Sequence, residues 1–154
     1  MKFLISLMVL LMINNECGLK PHQPIGTISD VTQEGISITY NALSRGFFEK
    51  IRATKDTLMV SNDRNLVEKE TYICTEKDWT ELMVLLKEID IESLPTLEAP
   101  TSKRLYDGAA HASLSIEKKD TTIQSNGFDH GYPPKAIERL VNKLLSMAEN
   151  AQKQ

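Results

Sequence analysis

The feature that most constrains the fold is a period-two alternation of apolar and polar residues in several short segments. In residues 36–40, apolar side chains alternate with Ser37 and Thr39, and residues 112–117 repeat the pattern. Such alternation is typical of a β-strand with one buried face and one hydrated face. A sheet of such strands needs a covering layer on one side only.

Two segments with helical spacing can supply that layer, because each places its apolar residues on one stripe. The stripes consist of Trp79, Leu82, Met83, Leu86 and Ile89 in the first segment and of Ile137, Leu140, Val141, Leu144, Leu145 and Ala148 in the second. The hydroxyl of Thr75 is predicted to cap the first helix. Pro133 and Pro134 are predicted to begin the second helix, which should fray after Glu149.

The strands fall into two groups along the chain. Residues 36–40, 47–53 and 58–60 predict a three-stranded meander, and the segments on either side of the turn at 118–121 predict a second hairpin. The chain is therefore predicted to form an α+β domain over residues 36–150. Its architecture would be an antiparallel sheet of about five strands with two amphipathic helices on one face, in the order βββαββα.

The N-terminal residues have the composition of a cleaved signal peptide. Lys2 supplies positive charge, residues 3–13 are apolar apart from Ser6, and residues 14–16 are polar. The apolar stretch is shorter than the roughly 20 residues that span a bilayer. We therefore predict a signal peptide over residues 1–16, followed by a linker or tether over residues 17–35, and an exported protein.

The two cysteines have different expected roles. Cys17 follows the leader directly, where a bacterial lipoprotein carries its acylated cysteine, but Glu16 stands where a small residue is usual. The mature protein is thus predicted to be either periplasmic or anchored to a membrane through lipid at Cys17. Cys74 lies in an apolar stretch and is predicted to be a buried packing residue.

Charge and motifs narrow the possible functions. The formal net charge is -3, and the sequence contains no block of like-charged residues. Nucleic-acid binding is therefore disfavoured. Contact with a membrane is predicted only through the possible lipid on Cys17. The zinc-protease, nucleophile-elbow and phosphate-loop motifs are absent, and the sequence predicts no cofactor and no metal.

Two loops carry the residues with most potential for recognition or chemistry. One precedes and the other follows the second hairpin, so the two should lie close together. The candidate binding surface consists of Arg104, Tyr106, Asp107, His111, Phe128, Asp129, His130 and Tyr132. Read chemically, Asp107, His111, Asp129 and His130 could form an acid/base pair or a metal site.

The structural interpretation of the same loops is simpler. Gly108 and Gly131 would supply positive φ angles, and the aspartates would bond to their own turns. Arg104 would pair with a neighbouring aspartate. Tyr106, Phe128 and Tyr132 would pack over the open end of the core.

Residues 104–109 and 128–134 are similar to segments of a known group of proteins. Together with the hairpin between them, they resemble a group of small uncharacterised exported domains of Gram-negative bacteria, in which a strand meander, a helix, a hairpin and a final helix follow a leader. The similarity covers residues 36–148. It implies the fold and an exported location, and it implies no activity.

These observations favour a non-catalytic envelope protein that binds another envelope protein or a surface polymer. The alternative is a small hydrolase or metal-binding protein that uses His130 with Asp107 or Asp129. Convergence of the histidines and aspartates on one cleft would favour the alternative.

Overall fold

The computed structural model describes residues 35–153. The strands are β1 (Ile36–Leu43), β2 (Phe48–Ala53), β3 (Thr57–Ser61), β4 (Glu70–Ile73), β5 (His111–Lys118), β6 (Thr121–Gln124) and β7 (Phe128–Asp129). The helices are α1 (Glu76–Lys87) and α2 (Glu138–Gln152), with two 3-10 helices at Ile91–Thr96 and Lys103–Tyr106. In this part of the chain, no helix is long and apolar enough to cross a membrane.

The seven strands form one antiparallel sheet. Its order is β4-β3-β2-β1-β5-β6, and β7 adds to β5 beyond the end of β6. The α+β class and the antiparallel sheet are confirmed, but the expected count of about five strands is too low. The two additional strands escaped the period-two pattern because β4 is a largely exposed edge strand and β7 has only two residues.

A single core joins one face of the sheet to both helices. In β1, Ile38, Tyr40 and Ala42 are fully buried, and their partners on β2 and β5 are buried too, except Glu49, which is partly buried. Both predicted helical stripes are confirmed, since all their members are buried except Ile89 and Leu145, which are partly buried. Burying each large aliphatic side chain contributes ~1.5–3 kcal/mol, so these stripes dominate the stability of the domain.

The ends of the two helices were predicted with unequal success. Thr75 caps α1 as expected, and its hydroxyl accepts a hydrogen bond from the Asp78 backbone N–H at 3.1 Å. The predicted start of α2 at the two prolines is wrong, because the helix begins at Glu138. A proline disfavours helical geometry in the residue before it, and Pro133 and Pro134 lie buried in a non-helical segment. The helix continues to Gln152 rather than fraying after Glu149.

Candidate functional site

The buried carboxylate of Asp129 organises the predicted loop region. Asp129 is fully buried where β7 pairs with β5. Its Oδ2 accepts hydrogen bonds from the Thr101 hydroxyl and the Lys103 N–H, both at 2.6 Å. Its Oδ1 accepts from the backbone N–H and the guanidinium of Arg104, both at 3.0 Å. The predicted pairing of Arg104 with a neighbouring aspartate is confirmed.

Electrostatics keep this carboxylate ionised. Burial alone would raise the pKa of Asp129, but the bonds from Thr101, Arg104 and Lys103 outweigh burial and hold the pKa well below its ordinary value. All four bonds come from residues 101–104, so the carboxylate fixes the 3-10 helix Lys103–Tyr106 against β7. The role of Asp129 is to hold this segment in one conformation.

The turn geometry differs in part from the expectation. Gly131 has a positive φ of 83°, as predicted, but the left-handed residue in the other loop is Asp107, with φ 56°. Gly108 meets a different demand, because a Cβ there would lie 3.2 Å from the Lys103 carbonyl oxygen. The prediction for Gly108 is wrong in its reason, since close backbone approach requires the glycine.

Two of the three loop aromatics are exposed. Phe128 is buried, with its ring centroid 6.3 Å from that of Tyr40. Tyr106 is 81% exposed and Tyr132 is 49% exposed, so the expectation that they cover the core is wrong for both. Leu105 is 62% exposed beside Tyr106, and the Lys103 ammonium lies 4.6 Å from the centre of the Tyr132 ring.

We call the exposed surface formed by Leu105, Tyr106, Tyr132 and Lys103 the aromatic end. Its backbone comes from the 3-10 helix that Asp129 anchors and from the residues that follow β7. The four side chains therefore sit on two segments joined through one buried carboxylate. Large side chains on a fixed backbone are what a recognition surface needs.

His130 belongs to a small polar cluster that the sequence did not reveal. Its Nδ1 lies 2.7 Å from the Tyr40 hydroxyl, and its ring centroid is 5.1 Å from that of Phe47. Burial raises the pKa of Tyr40, and the nearby Glu49 carboxylate adds to that effect. Burial also raises the pKa of Glu49, while His130 acts in the opposite direction. Tyr40 and Glu49 read as ordinary strand residues, so no sequence signal marked them.

The side chains of the two histidines face different sides of the sheet, although their backbones are neighbours. His111 begins β5, is exposed, and shares the outer face with Ser113 and Ser115, whereas the His130 ring bonds to Tyr40 from the core side. His111 instead borders an open depression of about 660 Å³ next to residues 97–102.

The structure does not bring the side chains of all four residues of the hydrolase or metal hypothesis to one cleft. His111 pairs with Asp129 in the β5–β7 register, but the Asp129 carboxylate is enclosed by its donors, Asp107 is exposed just after the 3-10 helix, and the histidine side chains face different sides. Within residues 35–153, no three His, Cys, Asp or Glu side chains are grouped so that they could hold a metal ion.

Only one of the two cysteines, Cys74, lies among the described residues. Cys74 is free and buried, as predicted, and burial raises the pKa of its thiol to about 11. The predicted signal peptide of residues 1–16, most of the predicted linker and Cys17 lie outside the described residues.

No known protein family matches the chain. No curated protein matches it either.

Proposed function

We propose that this chain is an exported envelope protein whose domain is a non-catalytic binding module, and that the aromatic end is its binding surface. The observation that carries the proposal is the exposure of Leu105, Tyr106 and Tyr132 on a backbone held by the buried Asp129. An exposed tyrosine offers a large contact area with few rotatable bonds, which is why tyrosine is frequent among residues that dominate binding.

The fixed backbone supports binding through entropy. A partner that docks on a loop must normally order it, at a cost of ~1–2 kcal/mol per residue for the backbone alone. Here residues 103 and 104 already bond to Asp129 through their backbone N–H groups. Little of that cost remains at binding, so modest contacts suffice for a specific complex.

The chemistry of the aromatic end favours a protein partner. Leu105 is an exposed aliphatic side chain next to Tyr106 in the sequence, and Lys103 brings one cation to the Tyr132 ring. Apolar and aromatic anchors with a polar rim are typical of protein interfaces. A surface polymer, whose sugar rings could stack on the tyrosines, is the other partner to be tested.

Site-specific crosslinking in living cells tests this proposal. A photoreactive phenylalanine analogue would replace Tyr106 or Tyr132, with Val67, which is as exposed as Tyr106, as the control position. We expect a discrete protein adduct from both test positions and none from position 67. Adducts of equal strength at all three positions, or at none, would refute the aromatic end as a protein-binding surface. Adducts that carry only carbohydrate would move the proposal to a surface polymer.

The exported location is proposed from the leader of residues 1–16 and from Cys17. Intact mass spectrometry of the mature protein gives the cleavage position and any lipid in one measurement. An N-terminus at Cys17 with an added acyl mass would place the domain on a membrane, and an unmodified N-terminus near residue 17 would place it in the periplasm. Retention of residues 1–16 in the mature chain would overturn the proposal.

A further inference from the structure

The edge strand β4 has main-chain groups directed away from the sheet. The N–H of Cys74 bonds to the carbonyl of Asp56 at 3.1 Å, so these residues form a hydrogen-bonded pair of the antiparallel ladder. Hydrogen-bonded and non-bonded pairs alternate along such a ladder. Tyr72 and Glu70 therefore face β3, whereas the N–H and C=O groups of Thr71 and Ile73 point outward.

The two edges of the sheet differ in whether another segment of the chain lies beside them. At the β6 edge, the 3-10 helix Ile91–Thr96 packs nearby, with Leu94 buried and its carbonyl bonded to the N–H of Asn126. At β4, no described strand pairs on the outer side, and Ile73 is 85% exposed. Proteins usually block an exposed edge with proline, a bulge or a covering segment. The described residues show none of these at β4.

Two depressions lie beside this edge, between β4 and the C-terminal half of α2, and together we call them the groove. One part of it, about 400 Å³, is lined by the apolar side chains of Leu58, Tyr72, Ile73 and Met147 and by Ala151. A second part, about 260 Å³, lies at the start of β4 and borders Glu68, Glu70 and Gln152. The groove could receive side chains of a strand that pairs with β4.

Carboxylates outnumber amines along this groove. Lys143 lies between α1 and α2, where its ammonium is bonded to Asp78 at 2.8 Å and also to Glu81. The two carboxylates together neutralise the Lys143 ammonium and leave one negative charge unbalanced. The remaining charged side chains at the groove are Asp63, Glu68, Lys69 and Glu70. The groove is acidic overall, and a basic segment complements it.

We propose that the β4 edge and this groove bind an extended peptide segment of a partner protein in which the residues at every second position are basic or apolar and face the groove, because Glu70 and Tyr72 share one face of β4. The peptide pairs with Thr71 and Ile73 through its main chain. Its apolar side chains enter the groove beside Tyr72 and Met147, and its basic side chains lie near Glu68 and Glu70. Strand addition of this kind takes affinity from main-chain bonds and specificity from alternate side chains. This surface is separate from the aromatic end.

A defined peptide tests the proposal directly. The probe is the capped heptapeptide Val-Thr-Val-Thr-Lys-Thr-Lys, whose valines and lysines lie on one face of an extended strand, added to the 15N-labelled full chain, and Val-Thr-Val-Thr-Glu-Thr-Glu is the matched control. We expect the basic peptide to shift the amide signals of residues 69–74 and to slow amide exchange at Thr71 and Ile73. Unchanged signals in residues 69–74 at millimolar peptide, or equal binding of both peptides, would overturn the proposal.

Two variants separate strand addition from simple charge attraction. Thr71→Pro removes an outward N–H without breaking a bond to β3 and should weaken peptide binding about tenfold or more. Glu68→Lys should weaken it about threefold or more, while Glu92→Lys, the same charge change at the opposite edge, should leave it within about twofold. Should Thr71→Pro fail to fold by circular dichroism, the pair at 68 and 92 decides: equal affinities for those two variants would refute the proposal.

Discussion

Replacing Asp129 with asparagine tests whether one buried carboxylate holds the aromatic end in place. The asparagine side chain has nearly the same shape, but one oxygen becomes an amino group that donates rather than accepts. At the Oδ1 position, the amino group would meet two donors of Arg104. At the Oδ2 position it would meet the Lys103 N–H and the Thr101 hydroxyl, which can rotate to accept.

The better orientation still leaves a large cost. The Lys103 N–H loses its acceptor, and a buried unsatisfied donor costs ~1–3 kcal/mol. Arg104, whose side chain is only 16% exposed, also loses its fully buried ionic partner. Removing one partner of a buried ion pair typically costs ~3–5 kcal/mol in total, and we expect the Asp129→Asn variant to fall in that range. The melting temperature should fall by ~12–20 °C.

Urea unfolding followed by circular dichroism measures this loss, with Asp107→Asn as the control. Asp107 is exposed and left-handed, a conformation that asparagine adopts readily, so the control should stay within ~0.5 kcal/mol of the wild type. A loss below about 1 kcal/mol for Asp129→Asn, or equal losses for the two variants, would refute the anchoring role.

The same variant has a defined pH dependence. The pKa of Asp129 is lower in the folded chain than in the unfolded chain, because the bonds to Thr101, Arg104 and Lys103 favour the charged form. Its stabilising contribution is therefore fully present above the unfolded-state pKa, near ~3.9, and is lost as the pH falls toward the folded-state pKa. The difference between wild type and Asp129→Asn should stay constant from about pH 5 to pH 8 and shrink below about pH 4.

Three further predictions concern the scaffold. The buried Cys74 thiol, with its pKa raised to about 11, should resist alkylation at pH 8 until the chain is unfolded, as peptide mapping would show. Thr75→Ala should cost ~0.5–2 kcal/mol in urea unfolding, because the Asp78 N–H loses its cap. Gly108→Ala should destabilise the fold because its Cβ would crowd a carbonyl oxygen, whereas Gly46→Ala, with open space around it, should be neutral or stabilising by up to ~1 kcal/mol.

The parts of the fold that the sequence predicted are those with a periodic burial pattern. β1 and β5 each bury alternate side chains, and both helical stripes reach the core, so their patterns could be read directly. β4 escaped because an edge strand with little buried surface has no such pattern. The start of α2 was misplaced because the two prolines belong to a buried turn, which only tertiary packing determines.

The predicted binding surface included Tyr106 and Tyr132 of the aromatic end but neither Lys103 nor Leu105, and it did not give their arrangement. Proximity of the two loops followed from the hairpin between them, and the pair Arg104 and Asp129 could be expected from charge. The contact of His130 with Tyr40 joins residues 90 positions apart and had no local signal. Exposure of the loop tyrosines was equally hidden, since an aromatic residue in a loop can cover a core or face solvent with the same sequence.

The main effect of the buried Asp129 carboxylate is to order residues 101–104 rather than to add net stability. Burying an ion pair often gives little net stabilisation, since desolvation offsets the attraction, and an apolar residue would serve the core as well. Asp129 instead gathers donors from Thr101, Lys103 and Arg104, none of which an apolar side chain could bind. The ordering cost of residues 101–104 is therefore met when the domain folds. Leu105 and Tyr106 follow directly and remain exposed on a segment whose backbone is already ordered. Exposed large side chains on an ordered backbone favour the binding of a partner.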